Sequence, residues 1–261
     1  MTALAEGLPC EVLGNSPQPQ ILRGLVKDWP AVTRWTPDYL ELLGAGKQAN
    51  VVRGNREYGN PAFESMPLAE FFRRCFTPDA GGPRLYLKEY DLLGELPQLN
   101  DDIDLNMFEF DDAQSFHDAW VGQQGARTGL HCDIFNNFLI HITGVKQIDL
   151  IPPACSAQVY PSPKFDYCAR LSRVDGFEPD LDRFPDFDSA MQAAVKYTME
   201  PGDVVYIPRR WWHQVECLSP TISLSGFVVG RSDRVPYAIE RLLRRLHNLG
   251  LYKRGNCTCH E

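Results

Sequence analysis

The run His131-Cys132-Asp133 carries an imidazole and a carboxylate separated by one residue, the spacing at which two side chains of an extended strand project from the same face. Such a pair can grip one metal ion, but two ligands make a weak site and a third is required. The stretch Pro201-Gly-Asp-Val-Val-Tyr-Ile-Pro-Arg-Arg-Trp-Trp-His213 offers it: a turn, a short apolar strand and a proline bend bring His213 to the start of another strand, 82 residues after His131. Two histidines and one carboxylate leave three coordination positions open on a non-haem Fe(II), as a metal needs when it must bind a cosubstrate and O₂ together. Zinc is the competing occupant. A structural zinc site closes its coordination shell and favours cysteine, so the carboxylate tilts the choice toward iron.

The elements that must hold these groups read mostly as strands. Residues 84–90, 129–150, 196–199, 204–207 and 221–229 are strand-like, and 20 glycines and 20 prolines punctuate them. Within 137–142, Phe138, Ile140 and Ile142 alternate with Asn137, Leu139 and His141, and Thr143-Gly144 supplies a tight turn into Lys146. Strands of this kind suit an antiparallel barrel or jelly roll with a usable interior. On a single strand Asp133 and Asn137 share a parity, and a hairpin return after Gly144 places Lys146 beside them inside the barrel. A lysine there needs an anion to compensate it; the other reading is an ordinary exposed lysine after a turn.

Around the strands, Gln20-Ile-Leu-Arg-Gly-Leu-Val26 is a further strand-like run, and two helices are expected. One is capped at Thr36-Pro37 and runs to about Leu43; the other, over 67–75, puts Leu68, Phe71, Phe72 and Cys75 on one face. A third helix over 234–249 carries Val235, Ile239, Leu242, Leu246 and Leu249 at helical spacing. The Asp-, Pro- and Phe-rich segment 154–194 is either a solvated connection or a cover over a barrel mouth.

Length and composition fit this picture. A chain of 261 residues fits one large domain or a domain with a small appendage, expected as a barrel domain over 1–230 and a C-terminal helix and tail over 231–261. The formal net charge of −8 argues against a protein that coats nucleic acid or an anionic membrane over its whole surface. No run of about 18 apolar residues and no secretory leader is seen, so a cytoplasmic location is expected. Eight cysteines, mostly isolated, are too dilute for a disulfide scaffold, and most of them read as reduced core residues.

With these residues in place the chain resembles the JmjC or cupin-like (cupin-8) Fe(II)- and 2-oxoglutarate-dependent hydroxylases, a family that includes the asparaginyl hydroxylase of hypoxia-inducible factor and the wybutosine hydroxylase of tRNA. The resemblance covers roughly 20–230. It is carried by Gly125-Ala-Arg-Thr-Gly-Leu-His-Cys-Asp133, Asn137, Thr143-Gly-Val-Lys146, Ile151-Pro-Pro and Glu200-Pro-Gly-Asp through Trp-Trp-His213. It implies a double-stranded β-helix, mainly β, with helices flanking it at both termini. It implies His131, Asp133 and His213 as ligands of Fe(II), and Lys146, Thr128 and Tyr86 as partners of the distal carboxylate of 2-oxoglutarate. Asn137 matches a polar residue near the metal-bound end of that cosubstrate. Where several family members have an asparagine near the end of the strand after the second histidine, this chain has Ser225, whose shorter reach alters that contact.

The activity so implied is hydroxylation of a C–H bond with O₂, giving succinate and CO₂, first of all on a protein or peptide side chain. Lysine demethylation uses the same oxidant, but no aromatic cage is evident in the sequence. A tRNA nucleoside is the rival substrate, favoured by the basic tail of Arg231, Arg234, Arg241, Arg244, Arg245, Lys253 and Arg254. A metal-binding cupin module without turnover is the rival of another class. Cys257, Cys259 and His260 offer a second metal set that His247 or a symmetry partner would have to complete, while His117 and His141 read as structural. By analogy with C-terminal dimerisation helices, a homodimer through the last helix is expected.

Overall fold

The computed structural model of the chain describes residues 16–54, 62–77, 83–108, 114–230 and 233–258. In chain order the elements are β1 (Gln20–Leu22), α1 (Pro30–Arg34), α2 (Pro37–Leu43), β2 (Gln48–Arg53), β3 (Ala62–Pro67), α3 (Leu68–Phe76), β4 (Leu85–Tyr90) and α4 (Leu92–Glu95). There follow β5 (Gln114–Gly122), β6 (Arg127–Asp133), β7 (Asn136–Thr143), β8 (Lys146–Ile151), β9 (Ala169–Leu171), α5 (Phe187–Gln192), β10 (Val195–Met199), β11 (Val204–Ile207), β12 (Trp212–Cys217), β13 (Thr221–Val229) and α6 (Arg234–Asn248).

The strands form two antiparallel sheets, ordered β1-β11-β7-β13-β5-β4-β2-β3 and β10-β8-β12-β6-β9. Eight of them make the jelly roll: β11-β7-β13-β5 faces β10-β8-β12-β6, and the chain crosses between the two faces at most corners. The expected double-stranded β-helix is therefore present. β4, β2 and β3 widen one sheet beyond the roll, and β9 extends the other.

Strand periodicity sets the layers. On the outer face of the larger sheet Phe138, Ile140, Ile142, Ile222 and Leu224 pack against Trp35, Leu40, Leu68, Phe71 and Phe72 of the N-terminal helices. Between the sheets Leu139, Val205 and Ile207 meet Ile148, Leu150 and Val215, closing one end of the interior. On the outer face of the smaller sheet Leu130, Cys132 and Trp212 pack against Val159, Val174, Phe184 and Phe187. Segment 154–194 is thus a packed cover rather than a solvated connection. The central strands β7, β8, β12 and β13 are buried almost throughout, which is why they carry long apolar runs.

Thr36 caps α2 by accepting the Tyr39 N–H, and the expected face of α3, Leu68, Phe71, Phe72 and Cys75, is buried. The helix expected over 234–249 is found as α6. Three expectations are corrected. The strand-like run at 20–26 pairs only over Gln20–Leu22 before Gly24 turns the chain with φ +61°. Asp133 and Asn137 do not share a strand: β6 ends at Asp133, β7 begins at Asn136, and the two lie in opposite sheets. The return after Gly144 is a corner between sheets and not a hairpin, because β7 and β8 do not pair.

Gly144 makes that corner possible. Its φ is +82°, and a Cβ there would fall 2.0 Å from the Pro220 carbonyl oxygen. We predict that Gly144→Ala loses ~2 kcal/mol or more of unfolding free energy through backbone strain and that clash, measured by urea denaturation.

Candidate functional site

His131 lies near the end of β6 and His213 near the start of β12, and the two are directly opposite each other in the β6–β12 pairing. Asp133 follows two residues after His131 on the same face. The ligating atoms of the three lie within 4.8 Å of one another, with His131 Nε2 at 4.0 Å and His213 Nε2 at 3.7 Å from the Asp133 carboxylate. The Nδ1 of His131 sits 2.8 Å from the Gly129 carbonyl and that of His213 3.0 Å from the Trp211 carbonyl. A carbonyl only accepts, so each Nδ1 carries the proton and each Nε2 presents a bare lone pair toward Asp133. Burial, then the neighbouring His131, push the His213 pKa well below its ordinary value and keep it neutral, while burial raises that of Asp133. Among the described residues no other group of histidine, cysteine and acidic side chains converges in this way.

A cavity of about 870 Å³ opens beside these groups, at the upper end of the usual range for small-molecule sites. Tyr86, Thr128, Asn137, Lys146 and Ser225 all line it, so every sequence-predicted site residue faces one space. Thr128 donates to the Tyr86 hydroxyl at 3.1 Å, and Asn137 Nδ2 donates to Ser225 Oγ at 3.4 Å, while Asn137 Oδ1 is buried without a partner. Thr128 stands three residues before His131, an odd separation that a regular strand would send to opposite faces. A register shift between His213 and Val215 in the β6–β12 pairing absorbs the extra residue and turns both inward.

Lys146 is the most unusual of the set. Its side chain is 1% exposed, burial lowers its pKa, and among the described residues no carboxylate pairs with it; its donor contact is Ser223 Oγ at 2.8 Å. Ser223 was not singled out from the sequence, although it shares a strand parity with Ser225. His141, read as structural, completes the contact: one ring nitrogen meets Ser223 Oγ and the other the Gly144 carbonyl, both at 2.9 Å. The protons follow by elimination. Gly144 can only accept, so Nε2 is protonated; a neutral ring then leaves Nδ1 as acceptor, Ser223 donates to it, and Ser223 accepts from Lys146. One ammonium hydrogen is spoken for and two remain for an anion.

Two features lay beyond reach of the sequence. A register shift between Leu87 and Tyr90 forms a bulge in β4, with Glu89 at φ +49°, that sets Lys88 and Glu89 into the cavity wall. The 162–173 stretch of the cover forms another wall, through Asp166 on the side of His131 and through Tyr167 and Arg173 at the mouth. The chain's end is held there too: Phe165 pairs with Cys257 in a parallel bridge, and Asn256 and Thr258 line the same mouth. Cys257 is fully buried and His247 Nδ1 donates to the Tyr252 carbonyl; Cys259 and His260 lie outside the described residues, as does Arg231. The six described cysteines are all free, as expected of reduced core residues. No described helix is long and apolar enough to cross a membrane.

A jelly roll with two histidines and an acid converging on its inner wall is a cupin-type barrel. The chain belongs to the JmjC/cupin-like family: the pattern of the cupin-like domain matches residues 11–227. It is 30% identical over 263 residues to human HSPB1-associated protein 1, covering 89% of this chain and 53% of that protein. It is also similar to Jumonji C domain-containing protein 5 of Drosophila melanogaster, 28% over 221 residues, 80% of this chain and 54% of that one. With lysine-specific demethylase 8 of Xenopus tropicalis the identity is 29% over 216 residues, 80% of this chain and 47% of that one. The chain spans about half the length of these relatives.

Burial holds the His141 pKa at about 3, with Lys146 lowering it further and the Gly144 carbonyl and Asp203 opposing. The unfolded chain takes up that proton near pH 6.5, so the contribution is present above that pH and is lost as pH falls toward 3. Between pH 6.5 and 4.5 the wild type is expected to lose ~2 kcal/mol more unfolding free energy than His141→Gln. Urea titrations across that range check it.

Proposed function

We propose that the chain is an Fe(II)- and 2-oxoglutarate-dependent oxygenase that hydroxylates a C–H bond on a protein or peptide side chain. The observation that carries this reading is the joint presence, on one cavity, of three metal-ligating groups with their lone pairs aimed inward and a buried ammonium with no carboxylate of its own. The donor set fits a metal that keeps open positions, since two neutral imidazoles and one carboxylate occupy one side only. The ammonium fits a dicarboxylate, which supplies the charge a buried lysine needs.

In this reading His131, Asp133 and His213 hold the iron, and Lys146, with the hydroxyls of Thr128 and Tyr86, binds the far carboxylate of the cosubstrate. Asn137 and Ser225 lie toward the metal end, where the unpartnered Asn137 Oδ1 is available to the ligand. The bound metal and cosubstrate supply O₂ activation. The protein orients both, and its apolar inter-sheet packing keeps water from the deep end of the cavity.

A protein substrate is supported by the names of the relatives, one described as HSPB1-associated and others as lysine-specific demethylases. A homodimer through α6 is supported by its stripe of Val235, Ile239 and Leu242, all exposed, continued by Leu249 and Leu251 beyond the helix. Light scattering is expected to give twice the chain mass, and Ile239→Arg with Leu242→Arg to halve it.

Succinate formation from 2-oxoglutarate with added Fe(II) tests the activity. Wild type is expected to turn over, coupled or uncoupled, while His131→Ala and Asp133→Ala lose at least about a hundredfold and no longer bind Mn(II) in calorimetry. Metal binding without any succinate would favour the non-catalytic cupin module, and full activity in both variants would remove the metal assignment.

A further inference from the structure

The formal charge of the chain is −8, yet its large cavity is lined by six cationic side chains, Lys88, Lys146, Lys164, Arg173, Arg183 and Arg244, against the acids Glu89, Asp133 and Asp166. The signs are zoned. Asp133 stands two residues from His131, and Glu89 and Asp166, which line the same cavity, each interact electrostatically with His131, so the acids lie toward the metal-ligand end. Three arginines stand at the mouth: Arg173 and Arg183 on the cover, and Arg244 on α6.

These arginines are exposed, and none takes part in the ion pairs found among the described residues. Each is nonetheless held in place by an aromatic face. Arg183 lies 5.0 Å over Phe184, Arg244 4.3 Å over Tyr167, and Arg173 about equally over Tyr160 and Phe184 at 5.9 and 6.0 Å. A guanidinium stacked on a ring keeps its edge free, and that planar edge matches a carboxylate with two parallel hydrogen bonds. Stacking also orders the side chain beforehand, so less entropy is lost on binding.

We propose that the cavity mouth receives an acidic peptide, its carboxylates gripped by Arg173, Arg183 and Arg244 while the residue to be modified enters toward His131, Asp133 and His213; the second half rests on the oxygenase reading, the first half does not. RNA shares the negative charge but fits less well. Bases need open aromatic faces to stack on, and here the faces of Tyr167 and Phe184 are taken by the guanidinium groups. Phosphate tracking needs a long basic surface, whereas the three arginines surround a single opening.

The test is fluorescence anisotropy without iron or cosubstrate, using a labelled Asp-rich peptide, its Lys-rich counterpart and an oligouridylate. The Asp-rich peptide is expected to bind alone and to weaken as salt rises. Arg173→Glu with Arg183→Glu, and separately Arg244→Glu on its own element, are expected to weaken it about tenfold or more, while Arg173→Lys with Arg183→Lys keeps most of the affinity. Circular dichroism and thermal melts confirm that each variant is folded. Equal binding of the Lys-rich peptide, tighter binding of the oligouridylate, or undiminished binding by the Glu variants would overturn the proposal. A chain that forms succinate but ignores the Asp-rich peptide removes the peptide site alone; one that binds the peptide and forms no succinate removes the oxygenase reading alone.

Discussion

The structure depends on an ammonium buried at the inner wall of its cavity. Lys146 opens β8 with the same parity as Ile148 and Leu150, so it points into the space between the sheets as surely as those two apolar residues do. Leaving such a charge unpaired in an apolar interior costs several kcal/mol. The protein offsets part of this with one serine oxygen, itself oriented by a histidine kept neutral. That arrangement stabilises the lysine without neutralising it, which is what a site for a removable anion requires. An acid in the place of Ser223 would satisfy the lysine permanently and close the site to a dicarboxylate.

The same logic governs the metal ligands. Two imidazoles and a carboxylate that share a space without hydrogen bonds among their inward atoms are held together by the backbone and not by their own attraction. Carbonyls of Gly129 and Trp211 fix each ring by its outer nitrogen, so the inward nitrogens are set by main chain two residues earlier, within β6 for His131 and just before β12 for His213. Rigid strands with pinned tautomers hold a coordination geometry better than loops do. The site is therefore built before any ligand arrives.

Much of this was legible because strand geometry has a fixed period. His131 and Asp133 at a separation of two had to share a face, and Phe138, Ile140 and Ile142 had to oppose Asn137, Leu139 and His141, as they do. What escaped was whatever breaks the period. Nothing in Arg-Thr-Gly-Leu-His announces a bulge, yet the register shift in β6–β12 is the reason Thr128 joins His131 on the inner wall. The resemblance placed Thr128 correctly where periodicity alone would have put it outside. The corner at Gly144 escaped for a related reason: a turn residue shows that the chain reverses but not whether it pairs with its own strand or passes to the other sheet. β2, β3 and β5 were overlooked because polar and charged residues interrupt their apolar positions.

The mouth was least legible, since its residues come from segments with no regular period. Arg173 and Arg183 belong to the cover and Arg244 to α6, about sixty residues further on, and they share one opening because α6 lies against the cover. Their electrostatic effect also differs in kind from that of Lys146. An exposed guanidinium is screened by salt and contributes little as a single pair, whereas three of them around one opening raise the local concentration of an anionic partner before contact is made. On the proposed reading the deep cation selects the anion that binds beside the metal, and the shallow ones select the partner brought to it. Because the two groups lie in different dielectric surroundings, salt should separate them: attraction at the mouth fades with ionic strength, while the hold of Lys146 on a buried carboxylate does so far less.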